Sequence, residues 1–497
     1  MVLGINSAFT QLRKLQLQME SAPHYQDWEL LARQHDQLSG QEKWKRRDET
    51  TLYDFVEIRI RHDKLRQLLD AENHSELLYA LNEGLHGNMA GMGRPILYAQ
   101  SWTGTKYLID EFVSTTVEAL RFIAAADESK ISLPEKIDFF RRASHCYGRS
   151  ALMLSGGAGL IYFHHGVVQT LIDENLLPNV LSGSSAGSWV CAQLGTHTDA
   201  ELKAGYFDRY RYDMPDVSPL DVLLQRNGAI PPLQAKDQAL DNFDSGMTFQ
   251  EAYELTGRYI SVSIAPAEKY QNSRLMNAIT SPNVYIRSAI DASSSIPGLF
   301  PPVTLYAKGS DGRPKPYLSS RKWVDGSTSQ DLPAKRLARL FGVNHYLVSM
   351  INPLAAPFVN DPKLRHSKGI ASVASELGVK LMKDFLHIAE SYSSRFGIDI
   401  FSPAFLMTHA VLDQKYTGDI NMILNMQDFH LRQILHFFQE GEIEQLVLAG
   451  KRSVWPRISM IRNTSLIGRV LDEILEEIDQ RELQRAGETN RRMVGAT

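Results

Sequence analysis

Cysteine is scarce: only Cys146 and Cys191 occur in 497 residues. Two thiols cannot form a disulfide framework or a four-cysteine metal site, and such sparing use suggests a reducing compartment. Charge is balanced, with 53 Lys and Arg against 57 Asp and Glu, for a net charge of −4. That excludes the strongly basic surplus of a dedicated nucleic-acid binder, and no nucleic-acid partner is expected. There is no run of 18 apolar residues, so no helix should span a bilayer and any membrane contact is expected to be peripheral. Met1 to Met19 lacks the basic and apolar regions and cleavage site of a secretory signal, so a cytoplasmic location is expected. No His, Asp and Glu group has zinc spacing, so no metal is expected, nor any other cofactor. What remains is an ordinary globular composition, 43% apolar and 22% charged, long enough for two or three packed units.

Three regions differ in texture. Residues 1–148 read as helical: Ile5, Phe9, Leu12, Leu15 and Met19 recur at helical spacing, a stripe that suits a lipid interface or the protein's own surface. Asp27–Leu38, Asp54–Asp70 and Thr105–Ala124 continue the pattern, broken by glycines between Gly84 and Pro95. Residues 149–352 read as α/β, with short strands at Ala151–Ser155, Asn179–Leu181, Tyr259–Ile264, Val284–Ile286 and Tyr346–Met350. Helix-length segments separate them, which predicts a mostly parallel sheet covered on both faces. Residues 353–497 read as a helical extension packed on that core. Ile467, Val470, Leu471, Ile474, Leu475 and Ile478 form its apolar stripe, and Arg485–Thr497 is expected to fray. Ile434, Leu435, Phe437 and Phe438 make an apolar cluster suited to core packing, an acyl tunnel or a membrane.

The chemistry concentrates in the middle region. Gly183-Ser184-Ser185-Ala186-Gly187 has the Gly-x-Ser-x-Gly pattern of a nucleophile elbow, with strand before and helix after it. The plainer reading is that Ser184 and Ser185 cap a helix. Upstream, Gly156-Gly157-Ala158-Gly159 ends a strand and opens a helix, where backbone amides stabilise negative charge. No Gly-Lys-Ser or Gly-Lys-Thr follows, which disfavours a nucleotide loop and leaves an oxyanion hole as the better reading. Trp323-Val324-Asp325-Gly326 places an acid at a strand end, where a partly desolvated carboxylate would serve as a base. Asp-Gly is equally a common hairpin turn.

Together, in this order and spacing, the three motifs resemble the patatin-like phospholipases, which use a Ser–Asp dyad without histidine. Ala292-Ser-Ser-Ser-Ile-Pro297-Gly298-Leu-Phe-Pro301-Pro302 is similar to that family's small-residue helix and proline turn. Gly91-Met-Gly93-Arg94-Pro95, Gly104-Thr105-Lys106 and Trp455-Pro456-Arg-Ile-Ser459-Met-Ile-Arg462-Asn463 resemble the subgroup containing intracellular triacylglycerol lipases and lysophospholipid acyltransferases. The resemblance implies a three-layer α/β/α core flanked by helical segments, with Ser185 as nucleophile and Asp325 as base. It further implies an oxyanion hole at Gly157 and Ala158, assisted by Gly156, with Gly183 and Gly187 shaping the elbow. The implied substrate is a phospholipid or acylglycerol, met at a membrane or lipid-particle surface and hydrolysed through an acyl-enzyme, with acyl transfer as a side activity. One departure stands out: the basic residue that many members carry after the glycine run is replaced by Leu160-Ile-Tyr-Phe-His164-His165. Two alternatives remain. A Ser–Asp–His triad of the α/β-hydrolase type would draw its histidine from His345, His366, His387, His409, His430 or His436. A catalytically inactive scaffold would bind lipid without cleaving it.

Overall fold

The structure is a computed structural model and describes residues 2–209, 232–243, 246–268, 271–297, 300–327, 331–352, 418–424 and 438–494. The chain divides into two compact units, one formed by Met1–Ser150, Gly342–His345 and Pro456–Thr497, the other by Ala151–Phe341 and Tyr346–Trp455.

The first unit is helical. The Val2–Ser21 helix packs on the Tyr25–Leu38 helix, burying Met19 but leaving Phe9 67% exposed. The Phe55–Asp70 helix starts where the Asp54 side chain accepts the Glu57 N–H at 3.0 Å, and Asn73 caps the His74–Asn82 helix in the same way. The Tyr107–Ala125 helix buries Leu108, Phe112 and Leu120 and packs against both Phe55–Asp70 and the long Ile458–Val494 helix. The latter also packs on the Leu133–Tyr147 helix and buries Ile467, Val470, Leu471, Ile474 and Ile478. Arg149 makes a two-pronged pair with Asp472 on its flank. The fraying expected from Arg485 onward is not seen, because the helix runs on to Val494.

The subgroup-like signatures become packing here. Lys106 is fully buried, donates to the Trp44 and Arg47 carbonyls at 2.7 Å each and lies 4.0 Å over the Trp44 ring. Asn463 donates to Asp110 at 2.6 Å, while Gly93 adjoins Thr464 and Gly104 adjoins Ser459.

The second unit is built on a sheet of mostly parallel pairing. Its strands are β1 (Arg149–Leu154), β2 (Val180–Gly183), β3 (Tyr259–Pro266), β4 (Arg274–Met276), β7 (Trp323–Asp325), β8 (Val343–Met350) and β9 (Ile420–Ile423). β5 (Leu305–Lys308) and β6 (Pro314–Tyr317) form a separate antiparallel pair. The order is β4-β3-β2-β1-β8-β9, with β7 joined to β3. β1–β2, β2–β3 and β8–β9 are parallel, whereas β4 and β7 run antiparallel to β3. β1 and β2 bury Ala151 to Leu154 and Val180 to Gly183 without alternation, the signature of strands covered on both faces. The Ala186–Thr196 helix lies against β2 and β3, and the Ile161–Asp173 helix packs on Glu440–Val454. That second pair crosses closely because Gly166 and Gly450 meet each other's backbone, where a Cβ on either would overlap a carbonyl.

Three readings of the sequence need correction. The strand expected at Val284–Ile286 is instead two isolated bridges, Val284 to Ala307 and Tyr285 to Thr248, and Ile286 already begins the Ile286–Ser293 helix. The sheet does not end before residue 353, since β9 adds a further strand beside β8. The C-terminal segment does not pack as one piece: Glu440–Val454 belongs to the second unit, Ile458–Val494 to the first. Of the apolar cluster near residue 436, Ile434, Leu435 and Phe437 lie outside the described residues.

Candidate active site

The elbow is shaped by two close approaches. A side chain on Gly183 would strike the Gly187 carbonyl, and one on Gly187 would strike the Leu154 carbonyl of β1, so only glycine lets β2 turn directly into the following helix. At the apex Ser185 has φ 48° and ψ −122°, a conformation that costs a serine about 1–3 kcal/mol. Its N–H donates to Ser293 Oγ at 2.9 Å, and Ser293 in turn donates to the Ser263 carbonyl at 2.8 Å. Ser185 occupies the N-cap of the Ala186–Thr196 helix, yet its hydroxyl makes no capping bond. Helix capping therefore does not explain this serine.

The hydroxyl instead lies close enough to Asp325 to lower that acid's proton affinity. Asp325 ends β7, pairs with Ile264 of β3, and has no exposed surface. Because β7 pairs with a strand far back in the chain, Asp325-Gly326 turns no hairpin. One carboxylate oxygen accepts the Ser327 N–H at 2.8 Å. Burial pushes the Asp325 pKa up to about 6, with the Ser327 N–H, the nearby Ser185 hydroxyl and the charge of Lys236 pulling the other way. Lys236 thus supplies a cation to a site whose glycine run is followed by none; it is itself buried and pairs with Asp291 at 2.6 Å.

The glycine loop adjoins the serine, since a Cβ built on Gly156 would lie 3.2 Å from Ser185 Cβ. A Cβ on Gly157 would press on Ile351 at 2.5 Å. Ala158 takes φ 48° as the loop tightens into a 3-10 turn and then the Ile161–Asp173 helix. Among the described residues, the Gly157 and Ala158 amides have no acceptor. The Gly156 amide differs: it donates to Asp331 at 2.9 Å, so it is not available to a developing oxyanion.

Asp331 was not singled out from the sequence. Its only sign was a second acid shortly after Asp325-Gly326, and nothing in that spacing marks it as buried. The Asp331 carboxylate oxygen that takes the Gly156 N–H also accepts the Ser184 hydroxyl, joining the glycine loop to the elbow. Burial pushes its pKa up to about 7; the bonds from Ser184 and Gly156 oppose that, and the nearby Asp325 charge adds to it.

Among the described residues, His164, His165 and His345 bond elsewhere. His164 bonds Ser349 Oγ at 2.7 Å and the Ser155 carbonyl at 2.9 Å, and His165 bonds Gln193 at 3.1 Å. Burial lowers their pKa values to about 4 and about 3, so both are neutral at physiological pH. His345 bonds Ser150 at 2.9 Å. His366, His387, His409, His430 and His436 lie outside the described residues. Among the described residues, no cluster of His, Cys, Asp and Glu is arranged to hold a metal.

Residues 152–338 match the family described as patatin-like phospholipase, and residues 6–145 match a domain of unknown function (DUF3336). Triacylglycerol lipase 4 of Saccharomyces cerevisiae is 31% identical over 473 residues, covering 90% of this chain and 51% of that protein. Triacylglycerol lipase SDP1L of Arabidopsis thaliana is 30% identical over 489 residues, covering 95% and 59% respectively. A patatin-like phospholipase domain-containing protein of Aspergillus fumigatus is 32% identical over 503 residues, covering 94% and 69%. The chain therefore spans only 51% and 59% of the length of the two lipases it matches. The crystal structure of VipD from Legionella pneumophila aligns over 60% of this chain and 66% of its own at 12% identity and a TM-score of 0.27, a likeness too slight to inform the fold.

Proposed function

The chain belongs to the patatin-like phospholipase family, and on that premise we propose that it is a lipid acyl hydrolase working through a Ser185–Asp325 dyad. The observation that carries this reading is a serine held on a strained turn beside a wholly buried carboxylate whose pKa is raised to about 6. A base in that range is ionised at neutral pH yet binds a proton more readily than an ordinary aspartate.

The arrangement supports the following reaction. Asp325 takes the Ser185 proton as Oγ attacks the ester carbonyl carbon. The carbonyl π electrons move onto oxygen, and the Gly157 and Ala158 amides receive the oxyanion. The tetrahedral intermediate collapses, the ester C–O bond breaks, and protonated Asp325 gives its proton to the departing alcohol. Water then gives up a proton to Asp325 and attacks the acyl-enzyme, and the fatty acid leaves as Ser185 recovers its proton. A lipid hydroxyl in place of that water gives acyl transfer by the same steps. In this scheme Asp331 is a positioning residue: it ties Gly156 to Ser184 and so sets the two donor amides relative to the nucleophile.

The substrate class is a long-chain ester of glycerol, either an acylglycerol or a glycerophospholipid, in keeping with the names of the relatives. Such substrates lie in membranes or lipid particles, so the protein works as a peripheral visitor to that surface. Among the described residues no helix is long and apolar enough to cross a membrane. Fatty-acid release from emulsified trioleoylglycerol and from phosphatidylcholine tests the reading. The native protein should release acid from at least one, and Ser185→Ala should lose that release by about 10⁴-fold or more. Equal release by the variant would refute the assignment.

A further inference from the structure

The second unit contains a cavity of about 320 Å³ apart from the dyad, lined by Arg274, Arg336, Arg339, Ser281 and Tyr317 among others, with no carboxylate in its wall. Its volume is in the range of small-ligand sites. Arg274 lies on β4 and pairs with Ile264 of β3 across the edge opposite Asp325, about two strand spacings or ~10 Å from that acid. Arg336 and Arg339 lie one helical turn apart on the Ala334–Phe341 helix and so share a face.

Arg258 and Arg287, in the same unit, pair with Asp199 and Asp241. Arg274, Arg336 and Arg339 pair with no carboxylate among the described residues; Arg274 lies instead 5.4 Å over the Trp323 ring. Arg336 is half-buried, and burial lowers its proton affinity with no acid to raise it. Desolvation of the Arg336 cation is a cost, and Arg274 and Arg339 line the same concavity with no carboxylate in its wall. Guanidinium groups relieve that cost by bidentate bonding to a phosphate, and the Ser281 and Tyr317 hydroxyls add neutral donors.

We propose that this cavity binds a phosphate ester through Arg274, Arg336 and Arg339. The chemistry is shared by a phospholipid headgroup and a free phosphate ester, and the site is independent of the dyad assignment.

Sedimentation with phosphatidylcholine vesicles containing phosphatidic acid, at physiological salt, tests the first source; calorimetric titration with glycerol 3-phosphate tests the second. The native protein should bind at least one of the two. Arg336→Gln should weaken that binding about tenfold, the loss of one charge-assisted pair, and Arg336→Gln with Arg339→Gln should abolish it, both with an unchanged melting temperature. Lys335→Gln, which removes the same charge from a side chain outside the cavity, should bind as the native protein does. Binding of vesicles alone identifies a headgroup site, and binding of both probes a site for the phosphate ester itself. Binding of neither, or equal weakening by Lys335→Gln and Arg336→Gln, overturns the proposal. If Arg336→Gln fails to fold, Arg274→Gln on the opposite wall provides the same comparison.

Discussion

Replacing Asp325 by Asn should make the protein more stable and inactive at once. An aspartate raised from 3.8 to about 6 holds its proton more tightly folded than unfolded. The stability from that proton is fully present below pH ~3.8 and is lost as pH rises through about 6. Above pH 6 the ionised native residue therefore carries a penalty of about 3 kcal/mol, at ~1.4 kcal/mol per pKa unit. An Asn at 325 carries no charge, and its carbonyl oxygen still accepts the Ser327 N–H now held at 2.8 Å. At pH 8 the variant should melt several degrees higher than the native protein, and the gap should close as pH falls toward 4. Over the same series ester hydrolysis by the native protein should fall off below pH ~6 as Asp325 takes up its proton. The variant should be slower by about 10²–10⁴-fold, the range for loss of a general base. Thermal melts and initial rates from pH 4 to pH 8 measure both. A variant less stable at pH 8, or a gap that does not change with pH, would refute the reasoning about a buried, raised carboxylate.

Asp331 offers a comparison of two variants. Asp331→Ala leaves the Gly156 N–H and the Ser184 hydroxyl without their acceptor and should cost about 1–3 kcal/mol for each orphaned group in chemical denaturation. Asp331→Asn keeps an acceptor oxygen and should retain most of both stability and kcat; a loss as large as that of Ala would mean the charge matters more than the tether. In the first unit, Asn463→Leu removes the 2.6 Å bond to Asp110, which is mostly buried with its pKa raised by desolvation. The variant should lower the melting temperature more at high pH than at low pH, because losing the Asn463 donor raises the proton affinity of Asp110 further and makes its ionised form costlier to bury.

The motifs were legible because each is a local solution to a steric problem. Gly183 and Gly187 mark an elbow because a Cβ at either would strike backbone, and Gly157 marks a turn pressed against Ile351. The apolar stripe from Ile467 to Ile478 showed a buried helix face, but not its partner, since the periodicity is the same whichever unit supplies the surface. β9 was missed because Ile420-Asn-Met-Ile423 is too short to show a period, and it is a strand only through its pairing with β8. The same reason hid Asp331 and the three arginines: an acid's burial and a cation's want of a partner arise from residues far apart in sequence. The resemblance supplied Gly156 as a third donor to the oxyanion hole, and only the position of Asp331 shows its amide already engaged.

The central claim is that one hydroxyl is activated by one carboxylate. Labelling with a fluorophosphonate, followed by mass spectrometry of the modified peptide, tests it most directly. The account predicts covalent modification at Ser185 in the native protein and labelling at least about a hundredfold slower in Asp325→Asn. Modification at another serine, or Ser185 labelled as fast in Asp325→Asn as in the native protein, would contradict it.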